Sequence, residues 1–135
     1  MPLYAWKPEF SVNIKIIDQQ HRRLVDSINN LHDAMKTAIN NDVVSKIVED
    51  LTAYADTHFI TEEDFFVQYG YPKLEAHKRE HDRFRAKAAE FKKQLQEGHI
   101  ALSIDMSMFL FDWLNDHILK MDKAYTAFLN AKGVV

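Results

Sequence analysis

The sequence predicts an all-α protein, an antiparallel up-down-up-down four-helix bundle with an extended N-terminal arm. Three observations carry this expectation. Apolar residues recur at three- and four-residue steps through four long segments. The breaks between those segments are short, which suits antiparallel neighbours. Only three Gly and three Pro occur in 135 residues, so little interrupts the periodic stretches. With 47% hydrophobic and 12% aromatic residues the chain can bury one sizeable core, and residues 1–135 are expected to form a single domain, the arm over 1–16 and the bundle over 17–135.

In the arm, Phe10, Val12, Ile14 and Ile16 alternate and Pro8 interrupts, which reads as extended chain laid over the bundle. From Ile17 to about Asn40, Leu24, Val25, Ile28, Leu31, Met35 and Ile39 mark one amphipathic helix, with Asp18 as its expected N-cap. Val44, Ile47, Leu51, Tyr54 and Phe65 carry a second stripe until "YGYP" at 69–72 breaks it. Leu74, Phe84, Ala88, Phe91 and Leu95 continue to Gly98, and Ile104, Phe111, Leu114, Ile118 and Met121 mark the fourth helix. No internal repeat or low-complexity tract is present.

Composition excludes several function classes. There is no cysteine, so disulfides, thiolate ligands and a cysteine nucleophile are absent by count. Seventeen basic and 20 acidic residues are interspersed for a net charge of -3, which provides no field for nucleic acid or an anionic membrane. No uncharged stretch approaches the roughly 20 residues of a membrane span, and "MPLYAWKPEF" lacks a signal-like apolar run. A cytoplasmic protein is expected.

Polar residues interrupt the inward stripes at consistent places. His77 and His81 complete the third helix's series 74, 77, 81, 84, 88, 91, 95, although Lys78, Arg79, Glu80 and Asp82 around them suit a solvated face. His58 and Glu62 fall in the second helix's series 47, 51, 54, 58, 62, 65, and His21 precedes Leu24 on the first. In the fourth, His117 and Asp122 flank the stripe, because a five-residue step spreads over about 140° on an ideal α-helix. That spacing predicts either ligands converging from both flanks or a local π-type widening. His32 lies roughly 16 Å along the helix from His21 and His99 follows Gly98 in a connection, so both read as bystanders.

Any one of these seven residues could be a hydrogen-bonded core group. Seven of them, directed inward from four helices, would be costly to bury without partners, and shared coordination of metal removes that cost. Five imidazoles and two carboxylates without sulfur suit iron, manganese or zinc better than calcium or magnesium. A tetrahedral zinc needs only four ligands, so seven argue for two metals.

The motifs "DQQH" at 18–21, "HFITEE" at 58–63, "GYP" at 70–72, "HKREH" at 77–81 and "WLNDHILKMD" at 113–122, with the early Trp6, resemble the ligand series of the hemerythrins. The length resembles that of the family's free-standing bacterial members. The resemblance implies two iron ions bridged by an oxide or hydroxide, with His77, His81 and His117 on one, His21 and His58 on the other, and Glu62 and Asp122 on both. That set leaves one coordination position, on the two-histidine iron, for a small gas. The implied function is reversible dioxygen binding for transport, storage or delivery, without catalysis, and with azide and nitric oxide as competing ligands. Trp113, Leu114 and Ile118 match the family's oxygen-pocket positions. The competing reading is a di-iron enzyme or sensor acting on oxygen, peroxide or nitric oxide. It fits less well, because oxygen-activating bundle sites use mostly carboxylates and this one has more imidazoles than anions.

Overall fold

The computed structural model describes residues 6–37, 41–97 and 103–135, with side chains over 6–34, 44–97 and 108–135. A 3-10 turn at Pro8–Phe10 precedes α1 (Lys15–Thr37), α2 (Asn41–Tyr69), α3 (Leu74–Gln96), α4 (Ser103–Asp116), a π-helical segment (His117–Asp122) and α5 (Lys123–Ala131). Backbone angles stay helical through Asp116, Asp122 and Lys123, so α4, the π segment and α5 form one continuous fourth rod. No strand occurs among the described residues. α1 packs along α2, α2 along α3, and α4 against both α1 and α3.

The alternation of direction follows from where each helix meets two separate apolar clusters. One contains Ile17 of α1, Phe66 of α2 and Tyr125 and Leu129 of α5, covered by Val12 and Ile14 of the arm. The larger one contains Leu24–Leu31 positions of α1, Val44–Phe59 positions of α2, Phe84–Leu95 positions of α3 and Leu110, Leu114 and Ile118 of the fourth rod. Along α1 and α3 the chain runs from the smaller cluster to the larger; along α2 and the fourth rod it runs back. Between the clusters lies a layer of buried polar side chains: His21, His58, Glu62, His77, His81, His117 and Asp122.

Several boundaries differ from the sequence expectation. The helix begins at Lys15, so Ile17 is buried while Ile16 is 46% exposed; the alternation of the arm stops at Ile14 once the period changes from two to 3.6. Asp18 is not the N-cap. It lies inside the first turn and reaches back, accepting hydrogen bonds from Ser11 Oγ at 2.6 Å and Val12 N at 2.8 Å. Asn13 makes the corner with a left-handed φ of 56°, its N–H donating to Ser11 Oγ. In α2 the buried line is Val44, Val48, Leu51, Ala55, His58, Phe59, Glu62 and Phe66, whereas Ile47, Tyr54 and Phe65 are half-buried. α2 touches both α1 and α3, so its buried arc is wider than a single stripe and is centred between those neighbours. α3 keeps the expected face, with Leu74 half-buried at its start. Met35, Ile39, Gly98, His99 and Ile104 lie outside the residues whose side chains are described.

The "YGYP" break ends α2 as expected. Gly70 takes a left-handed φ of 68°, and the Tyr71 N–H returns to the Phe66 carbonyl at 2.9 Å while their rings pack 4.9 Å apart. Gly133, Val134 and Leu129 repeat this arrangement after α5.

Asp18 is the tie between arm and bundle. Asp18→Ala should lower stability by about 1–3 kcal/mol in chemical denaturation, since two donors of the arm lose a charged acceptor. An unchanged denaturation midpoint would show that the arm is held by Phe10, Val12 and Ile14 alone.

Candidate metal centre

Helical spacing accounts for most of the polar layer. His58 and Glu62, and His77 and His81, are each one turn apart, so each pair presents two donors on one face. His117 and Asp122 are five apart, and the backbone answers with the π turn, whose i→i+5 repeat stacks residues at that interval. His117 Nε2 accordingly lies 2.9 Å from Asp122 Oδ1.

Side-chain nitrogens and oxygens of this layer gather into two groups. Glu62, His77, His81, His117 and Asp122 converge in one, and His21, His58, Glu62 and Asp122 in the other, each with ligand atoms within 4.8 Å of one another. Both carboxylates belong to both groups. Asp122 Oδ2 faces His21 Nε2 at 2.9 Å, while its Oδ1 faces His77 Nε2 at 2.9 Å. Glu62 Oε1 lies 3.0 Å from His58 Nε2 and 3.3 Å from His81 Nε2; its Oε2 lies 3.9 Å from His77 Nε2. His32 belongs to neither group.

These separations are short, yet the atoms do not pair. His21 Nε2, His58 Nε2, His77 Nε2 and all four oxygens of Glu62 and Asp122 are buried without a hydrogen bond of acceptable geometry. Buried donor atoms that crowd together without pairing are left for a shared cation to satisfy. His81 Nε2 and His117 Nε2 approach to 3.2 Å, two nitrogens that both acquire a partner if an ion lies between them. The donor set therefore fits two metal ions of nitrogen- and oxygen-preferring type.

The electrostatics point the same way. Burial and the charge of Asp122 oppose ionisation of Glu62, but His58 and His81 outweigh them and hold its carboxyl far below the usual range. Burial opposes ionisation of Asp122 too, and His117, His21 and His77 hold it well down. Burial also works against charge on His81, but the neighbouring carboxylates of Glu62 and Glu63 prevail and raise it to about 9. His21 is raised likewise by Asp122 against burial, whereas burial depresses His58 and His117. Two carboxylates locked in ionised form at the centre of a bundle need positive charge beside them, and protons on the imidazoles supply it where metal does not.

Aromatic rings back the three-histidine group. Phe66 lies 4.8 Å and Tyr125 5.7 Å from His77, Phe59 stacks on His81 at 4.0 Å, and Trp113 stacks on His117 at 4.4 Å. Trp113 is half-buried and also lines a surface groove of about 670 Å³ between α3 and the fourth rod. Of the sequence-predicted pocket residues, Leu114 and Ile118 are buried in the larger apolar cluster, and Trp113 packs at its edge. Spacing did not single out Gln20, Glu63, Phe59, Phe66, Tyr125 or Arg85. Gln20 and Glu63 adjoin His21 and Glu62 in chain, which was the available signal; the aromatics read as ordinary core.

The hemerythrin HHE cation binding domain model matches residues 12–129. The chain is 35% identical over 125 residues to a bacteriohemerythrin of Stenotrophomonas maltophilia (strain R551-3), covering 93% of this chain and 80% of that protein. It is 36% identical over 132 residues to one from Methylococcus capsulatus, covering 97% and 100%. A crystal structure of wild-type hemerythrin aligns with a TM-score of 0.87 at 34% identity, covering 93% of this chain and 96% of that one. With a four-helix bundle that gathers five buried histidines around two shared carboxylates, and sequence likeness along nearly all its length, this chain belongs to the hemerythrin family.

Proposed function

We propose that this protein binds dioxygen reversibly at a non-haem di-iron centre, for oxygen transport, storage or delivery, and that it is not an enzyme. The reading takes residues 1–135 as one hemerythrin-like domain. The observation that carries it is the pair of buried donor groups sharing Glu62 and Asp122. His77, His81 and His117 would hold one iron, His21 and His58 the other, and Glu62 and Asp122 both, with an oxide or hydroxide between them. Held so, two irons would supply a binding position for a small gas and the electrons that bind it, and the side with His21 and His58, having one protein ligand fewer, would leave room for it.

The chain's own residues contribute position, charge and dryness. Five imidazoles against two carboxylates keep the ligand charge low, which supports binding over oxidation of other substrates. Leu114 is 3% and Ile118 0% exposed, so the walls they form exclude water and with it the protons that would drive irreversible oxidation. Trp113 covers one face of the His117 ring. Azide and nitric oxide are small enough to compete for the same position.

The deciding experiment is anaerobic loading with ferrous iron, exposure to oxygen, then its removal, followed optically. A spectrum that appears and reverses over repeated cycles is expected; irreversible oxidation on first exposure would remove the reading. The loaded chain should carry two irons. His77→Ala should lose iron and thermal stability together, because binding energy is folding energy here; full loading at one iron per chain would defeat the dinuclear assignment. Leu114→Ala should retain iron, yet shorten the lifetime of the oxygenated form and tighten azide binding, because it opens a cavity beside the site. Parental values for both would reduce Leu114 to ordinary core.

A further inference from the structure

Two hydrogen bonds lead outward from the histidines of the centre, and they differ in charge. His58 Nδ1 lies 2.7 Å from Gln20 Oε1, and the Gln20 amide donates to Thr61 Oγ1 at 3.1 Å. His81 Nδ1 lies 2.9 Å from Glu63 Oε2, a carboxylate outside both donor groups. Glu63 is in turn gripped by Arg85, whose Nη2 donates to the same oxygen at 3.1 Å. The rest of the guanidinium is committed as well: Nε donates to Asp56 at 2.7 Å and Nη1 to Asp82 at 2.8 Å. Arg85 also lies 5.2 Å over the Phe59 ring, which stacks on His81.

We propose that Glu63 is a positioning residue that orients His81 and strengthens it as a ligand, that Arg85 anchors Glu63, and that the centre is thereby made electronically unequal. The inference rests on the di-iron reading above. A carboxylate accepting from Nδ1–H leaves the Nε2 lone pair facing inward and pushes electron density into the ring. Gln20 fixes His58 in the same sense with a neutral acceptor, so the tautomer is set on both sides but charge is added on one. Arg85 does not cancel that charge, because one guanidinium faces the carboxylates of Glu63, Asp56 and Asp82 together. With its Nε and Nη1 tied to Asp56 and Asp82, the planar guanidinium instead presents Nη2 to Glu63 from a fixed place, which a flexible ammonium would not do. The three-histidine iron, already richer by one imidazole, is thus also the one whose ligand is reinforced from behind. The two-histidine iron, where the open position belongs, is left the weaker donor set.

The test compares the iron-loaded full chain with Glu63→Gln, Glu63→Ala and Gln20→Glu, reading iron content, ferrous affinity by chelator competition and the ferric/ferrous potential. Glu63→Gln keeps an acceptor and removes the charge, so two irons should stay while the potential rises. Glu63→Ala should weaken iron binding by about 10- to 100-fold. Gln20→Glu should lower the potential, the opposite shift. A potential unmoved in Glu63→Gln, or affected only in step with lost stability, would overturn the proposal; if Glu63→Ala does not fold, the Glu63→Gln and Gln20→Glu pair decides by the opposed shifts. Failure of the parent chain to hold two irons overturns this inference and the di-iron reading together, whereas a loaded parent with unshifted variants overturns this inference alone.

Discussion

Glu62 and Asp122 are two fully buried carboxylates, each shared between two groups of histidines, and the remainder of the structure is organised around keeping them charged. An isolated carboxylate in an apolar interior would take up a proton rather than remain ionised. Here the five imidazoles, on all four rods of the bundle, hold both in ionised form. No rod can withdraw its contribution without exposing the others to an unbalanced buried charge, so the polar layer ties the four helices to one register.

The layer sits between two apolar clusters, and that position explains both its dryness and its link to stability. The arm completes the smaller cluster through Val12 and Ile14, and Asp18 fixes the arm to α1. Each helix thus carries apolar side chains on both sides of its donors. The cost of assembling crowded, unpaired donor atoms is offset partly by this packing and partly by whatever cation those atoms receive, which is why metal loss and unfolding should be coupled.

α2 shows how one helix divides the work by direction. His58 and Glu62 face the centre, Phe59 stacks on His81, and Glu63, one residue on, turns aside to meet His81 Nδ1 and Arg85. The fourth rod solves a different problem. An α-helix would place His117 and Asp122 well apart in bearing, and a single π turn brings them together while leaving Tyr125 and Leu129 inward on the smaller cluster.

The amino-acid sequence determined the helix count, the alternation of direction and the seven polar positions on inward faces. Each of these is a periodicity, and a helix fixes periodicity locally. It also posed the five-residue step of the fourth rod as a question with two answers. Tertiary structure chose the π turn, rotated the buried arc of α2 away from Ile47 and Tyr54, and moved Asp18 from cap to arm tie. Those outcomes depend on which neighbours press on a helix, which spacing does not encode. The same holds for the outward bonds of His58 and His81: Gln20 and Glu63 adjoin site residues in sequence, but only packing of α1 on α2 and α2 on α3 brings each beside a histidine of another helix.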